Sequence, residues 1–117
     1  EQKSDLPKAA EYAKKAISMN EDYGKAYLLL GDIYVSGKDQ CSDDFQQKAV
    51  HWLAVDYYQK AKEADESIAE KADKRIKSYR RGFPGKEKIF FKELQEGDSF
   101  TVECWINETT TVRIPGN

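Results

Sequence analysis

Polar and apolar positions along this 117-residue chain follow two different rhythms. Up to about Phe83, apolar side chains return every three or four residues, the period of a helix packed on one side. A first helix is expected from Leu6 to Met19, because Ser4 and Asp5 can satisfy free amides and Pro7 suits a first turn. Its Ala9, Ala13 and Ala16 share one stripe, where a neighbouring helix can come close. After a break at Asn20 to Tyr23, Gly24 to Val35 reads as a second helix. Leu28, Leu29, Leu30 and Ile33 spread round more than one of its faces, which predicts burial on both sides. The polar stretch Ser36 to Asp44 reads as a loop. A third helix is expected over Phe45 to Ala64, with Ala54, Tyr58 and Ala61 repeating the offsets of the first. A fourth, from Ser67 to about Arg81, aligns Ala69, Ala72, Ile76, Tyr79 and Phe83 on one stripe and leaves its other faces charged, as an end helix should.

Pro84 and Gly85 interrupt this pattern, and Lys86 to Leu94 can form one or two helical turns around Ile89, Phe90 and Phe91. Beyond Gly97 and Asp98 the period changes to two. Phe100, Val102 and Cys104 alternate with Thr101, Glu103 and Trp105, and β-branched residues dominate Thr109 to Ile114, so a hairpin is expected. Gathering the apolar residues on one face pairs Cys104 with Val112 and Val102 with Ile114, and leaves an odd loop of three or five residues centred on Glu108. The expected fold is mainly α with a small C-terminal β-hairpin.

Tyr27, Leu30, Gly31 and Tyr34 resemble the first helix of a tetratricopeptide repeat, and Ala54, Tyr58 and Ala61, followed by Asp65, resemble its second. Ala9, Ala13 and Ala16, then Asn20, are similar to the second helix of the preceding unit, with Tyr23 and Gly24 at the handover. The interval from Ala9 to Ala54 is 45 residues, as is that from Tyr34 to Tyr79. Against the family's 34-residue period this implies an insertion of about 11 in the loop holding Cys41. The resemblance covers residues 6 to 81 and implies antiparallel helical hairpins stacked as an α-α superhelix. It gives Gly31 a purpose, since a missing side chain lets the partner helix approach and offsets the roughly 1 kcal/mol that a helical glycine costs. The expected organisation is helical repeats over 1–83, with an insertion at about 36–46 and a capping helix at 67–81, then an extension over 84–117. In the fourth helix, Arg75 and Ile76 stand where the family has leucine and glycine. The tail, with its "CWI" and "TTTVR" segments, is similar to extensions of repeat proteins from Gram-negative bacterial envelopes, which implies a periplasmic or envelope location.

Composition narrows the function classes. The longest apolar run falls far short of the roughly 18 residues of a membrane span, so none is expected. Formal charge is only −2, yet Lys71, Lys74, Arg75, Lys77, Arg80, Arg81, Lys86, Lys88 and Lys92 fall in one stretch opposed by Asp73 and Glu87. A solvated helix face gives the same pattern, and without a recognised motif no nucleic-acid partner is expected. Glu1 is not a start methionine, so the absence of a visible leader leaves the compartment open.

Candidate chemistry is sparse. Two cysteines allow one bridge, Cys41 to Cys104, which requires an oxidising compartment. The alternative is two unlinked thiols, with Cys104 buried on the apolar hairpin face, and then a cytoplasmic location stays open. One histidine, His51, beside Trp52 cannot complete a four-ligand zinc site, and Gly82, Gly85 and Gly97 stand apart rather than forming a phosphate loop. No cofactor, metal or enzymatic activity is expected. Asn107, Glu108 and Thr109 form a glycosylation acceptor triplet, in which the asparagine also suits a turn. The family resemblance implies a groove for a protein or peptide partner, at positions matching Lys25, Leu28, Asp32, Val35, Ser36, Lys74, Lys77 and Arg81. The lysine and asparagine clamp that some members use for a C-terminal carboxylate has no match here. The expected function is non-catalytic protein binding or scaffolding, with structural capping or self-association of a longer array as the alternative.

Overall fold

The computed structural model describes residues 5–115, so Ser4, one of the two expected capping residues, lies outside the described residues. Asp5 acts as the cap of α1 (Leu6–Met19), its carboxylate accepting from the Lys8 amide at 3.2 Å, with Pro7 in the first turn. Helix α2 (Gly24–Ser36) follows, and the expected loop after it contains a 3-10 turn, Lys38–Gln40. Asp43 caps α3 (Asp44–Ala64) by accepting from the Gln46 amide at 2.8 Å. The fourth helical segment begins as a 3-10 turn, Glu66–Ile68, because Asp65 draws in both the amide and the hydroxyl of Ser67, and it continues as α4 (Ala69–Arg80). Beyond Pro84 and Gly85 come the short α5 (Lys86–Phe91) and two antiparallel strands, β1 (Ser99–Val102) and β2 (Glu108–Thr111). The chain is mainly helical with a small C-terminal hairpin, as the sequence pattern predicts.

Side-chain contacts show that successive helices run in opposite directions. Gly24 at the start of α2 meets Ala61 and Asp65 at the end of α3, and Gly37 just past α2 lies against Leu6 at the start of α1. Lys62 near the end of α3 pairs with Asp73 early in α4, while Tyr58 stacks on Tyr79 further along. Helix α2 is buried on more than one side through Leu28, Leu30, Ile33 and Tyr34, and only Leu29 among its leucines is exposed. At its centre Gly31 faces the Tyr58 ring so closely that an added Cβ would lie 2.6 Å from Cε1.

Trp52 of α3 joins the helices to the extension. Fully buried, it packs edge-on against Phe45, Phe83 and Phe100, at 5.9, 6.4 and 5.8 Å between ring centroids. Its indole donates to the Arg113 carbonyl at 3.1 Å, and the Arg113 guanidinium donates back to the Trp52 carbonyl at 2.9 Å. Burying an indole requires a partner for its N–H, and the segment after β2 supplies one.

The hairpin register differs from the expected one. Val102 pairs with Glu108 and Phe100 with Thr110, and the five-residue loop, 103–107, is centred on Trp105 rather than Glu108. Cys104 is exposed in this loop, with a left-handed backbone (φ 49°), rather than on a buried strand face, and so pairs with no residue of β2. The expected register assumed that only apolar side chains face the core. Glu108 and Thr110 face inward instead, beside Val102, because the helices supply hydrogen bonds for both. Thr110 donates to Asp56 at 2.6 Å, and Glu108 accepts from the hydroxyls of Tyr34 and Tyr57 and from Lys14, whose Nζ lies at 2.8 Å. Asn107, also left-handed at φ 50°, closes the loop in the conformation that asparagine tolerates better than most residues.

Candidate functional site

Between α2 and α4 lies a cleft of about 500 Å3, lined by Asp32, Val35, Ser36, Lys74, Arg75, Ser78 and Tyr79. Helix α3 lies behind it and contributes Tyr58, whose ring underlies Gly31 and whose hydroxyl donates to Asp32 at 2.6 Å. The same carboxylate oxygen accepts from Arg75 Nε at 2.8 Å, so a two-donor bridge spans the cleft from α4 to α2. The Asp32 hydrogen bond raises the pKa of Arg75, which stays charged throughout. Burial first, and the Asp32 bond second, push the Tyr58 phenol well above its ordinary value, so it stays neutral and keeps the proton that it donates to Asp32.

These partners consume the Asp32 charge and leave the cleft basic. Arg75 spends its Nε on Asp32, and Lys74 takes part in none of the ion pairs among the described residues. The Ser36 and Ser78 hydroxyls add neutral hydrogen-bonding capacity beside Val35 and the Tyr79 ring. Such a surface can hold an extended polar or acidic chain.

Of the eight positions implied by the family resemblance, four line this cleft: Asp32, Val35, Ser36 and Lys74. Leu28 does not, because it turns into the core, where it is 7% exposed. Lys25 lies instead beside a separate apolar hollow between α1 and α2, and Lys77 and Arg81 are exposed outside the cleft lining. Three lining residues escaped the sequence reading: Arg75, Ser78 and Tyr79. A signal existed for two of them. Arg75 is 45 residues after the fully buried Leu30, and a charged group at such a position must reach back to a partner; Tyr79 is similarly spaced from Tyr34.

The remaining candidate chemistry resolves into structure. Cys41 and Cys104 form a disulfide with 5.1 Å between Cα atoms, which ties the loop after α2 to the hairpin loop and leaves neither as a thiol. His51 is buried, stacks on Tyr79 at 5.6 Å and places Nδ1 3.1 Å from the Lys48 carbonyl. Burial, helped by the charge of Lys38, lowers its pKa, so the ring is held neutral. Among the described residues no group of three or more His, Cys, Asp and Glu is arranged to hold a metal ion, and no helix is long and apolar enough to cross a membrane.

Compared with protein-family models, with curated proteins and with solved structures, the chain matches none.

Proposed function

We propose that this chain is a non-catalytic protein-binding module of the tetratricopeptide kind, which holds an extended acidic segment of a partner protein between α2 and α4. The observation that carries this reading is the Asp32–Arg75 bridge. It neutralises the one carboxylate lining the cleft and leaves Lys74 and the outer edge of Arg75 facing solvent. Lys71, Lys77 and Arg81 extend the positive charge along the same helical segment and favour approach of an anionic chain. The two serine hydroxyls can pair with the partner backbone, while Val35 and Tyr79 offer apolar contact. The disulfide fits an oxidising compartment, which supports a periplasmic or envelope location.

Fluorescence anisotropy with labelled acidic and basic peptides of equal length tests this reading. The acidic peptide should bind saturably, and Lys74→Glu, at an exposed position, should weaken it by about tenfold, the size of one lost charge-assisted contact. Equal affinity for both peptides would remove the support.

A second reading is structural and rests on the face between α1 and α2. Tyr12, Tyr23 and Leu29 are exposed there beside Ala9, Ala13, Ala16 and Ala26. The positions on α3 that match this stripe, Ala54, Tyr58 and Ala61, are fully buried, and α2 covers them. By that correspondence the occupant is a preceding helix of a longer array, and this chain caps the array. Light scattering gives the contrary outcome directly: a stable dimer would mean that a second copy covers the face instead.

A further inference from the structure

Two separate hollows border α5, and their chemistry is opposite. Ile89, fully buried, fixes this short helix to the body. At 3.6 residues per turn Lys88, Phe91 and Lys92 then share one side of it, and Phe90 lies on another. Phe90 borders a hollow of about 570 Å3 together with Leu94 and Ile114, lined also by Glu93, Gln95 and Glu96. Phe91 borders a second hollow of about 290 Å3, to which Lys88 and Lys92 also contribute.

Glu93 and Glu96 line the first hollow, and no lysine or arginine among the described residues does. Asp98, which accepts from the Gln95 amide at 2.9 Å, adds to the same sign. In the second hollow Lys48, Lys88 and Lys92 stand against Asp43 and Asp44, which leaves it positive by one. Lys86 and Glu87 line neither hollow and offset each other. Lys88, Lys92, Glu93 and Glu96 are all exposed, and none takes part in an ion pair among the described residues. The first hollow is therefore suited to a large apolar side chain flanked by cations. Phe91, 84% exposed and set between Lys88 and Lys92, is such a group.

We propose that two copies of this chain associate through α5 about a two-fold axis, with Phe91, Lys88 and Lys92 of each copy seated in the Phe90, Leu94 and Ile114 hollow of the other. A two-fold contact needs both complementary patches on one chain, near enough for the axis to pass between them. Both border the same six-residue helix here. Lys88 and Lys92 then meet Glu93 and Glu96 twice in each dimer, and the neighbouring rings lose their exposure together. Contact confined to one helical turn and its two hollows is small, so the dimer forms only at high concentration and weakens with salt. That sets it apart from a stable dimer through the face between α1 and α2. It shares no lining residue with the cleft between α2 and α4 and leaves that cleft free.

Sedimentation equilibrium of the full chain tests the proposal. The average mass should rise toward that of a dimer as concentration approaches about 1 mM, and high salt should reverse the rise. Lys88→Glu/Lys92→Glu and Glu93→Lys/Glu96→Lys should each weaken association at least about tenfold, because like charges then meet across the axis. Both should keep the wild-type melting temperature, since all four positions are exposed. An equal mixture of the two variants should regain the wild-type association, because each presents the opposite sign to the other at both hollows. Leu29→Glu, on the face between α1 and α2, should leave the association unchanged. A wild-type chain that stays monomeric at about 1 mM, or that takes up a basic aromatic peptide in the Phe90 hollow while monomeric, would overturn it. So would masses growing past a dimer, variants that associate as well as the wild type or fail to complement each other, or loss of the dimer in Leu29→Glu.

Discussion

Gly31 lies against the face of Tyr58, and a Cβ at that position would fall within 2.6 Å of the ring. The ring cannot move aside cheaply, since Tyr58 is fully buried and its hydroxyl is bonded to Asp32. Gly31→Leu should therefore cost at least about 2 kcal/mol in urea unfolding, within the range for overpacked cores. Gly31→Ala should fail to stabilise the fold, although alanine gains about 1 kcal/mol over glycine in an unhindered helix. A raised melting temperature for Gly31→Ala would mean that the two helices do not need this close approach.

The disulfide connects residues 63 apart, and in the chain-entropy picture it removes about 4 kcal/mol of freedom from the unfolded chain. Cys41→Ser/Cys104→Ser should lower stability toward denaturant by up to that amount while the helix content stays nearly unchanged. Intact-mass analysis after thiol labelling should show no free thiol before reduction and two after it.

Glu108 gives the fold a defined acid sensitivity. Burial alone would raise its pKa, but hydrogen bonds from Lys14, Tyr34 and Tyr57 outweigh that effect and hold it below the ordinary value of 4.5. A carboxylate whose pKa is lower in the folded state binds fewer protons there than in the unfolded chain. Its contribution is therefore complete above pH 4.5 and is lost as pH falls from there through the depressed value. Glu108→Gln should lower stability at pH 7 by about 1–3 kcal/mol and flatten the dependence below pH 4.5. His51 acts in a separate window with the same sign. Its depressed pKa means that stability begins to fall as pH drops below 6.5, and His51→Phe should remove that part of the profile.

The helices were legible in the sequence because their packing is local and periodic. Ala54, Tyr58 and Ala61 mark a buried face by spacing alone, and Asp5 with Pro7 marks where the first helix begins. The hairpin register was not legible, since it depends on partners 51 to 94 residues distant from Glu108 along the chain. A glutamate followed two residues later by a threonine on a short strand looks like a solvent face until Tyr34, Tyr57 and Asp56 are brought beside it. The cleft was legible in part for a related reason. Asp32, Val35, Ser36 and Lys74 are positions that the family resemblance implies, but Arg75 becomes meaningful only once Asp32 is opposite it. Leu28 falls outside the cleft lining because its side chain is buried in the core.

The Asp32–Arg75 bridge also predicts how the cleft responds to loss of its acid. Asp32→Ala should leave the Tyr58 hydroxyl without its acceptor and free the Arg75 guanidinium. Stability should drop by about 1–3 kcal/mol, the cost of leaving a partly buried polar group unpaired, as read by denaturant titration. The freed guanidinium should tighten rather than weaken binding of an acidic peptide, provided the experiment is run where the variant is folded.

Chemical-shift mapping of the isotopically labelled chain, titrated with an acidic peptide, is the most direct test of the peptide-groove reading. Saturable shifts should concentrate on Val35, Ser36, Lys74, Arg75, Ser78 and Tyr79, with α1 and the hairpin loop unaffected. Shifts confined to α5 or to the face between α1 and α2, or none at saturating peptide, would contradict it.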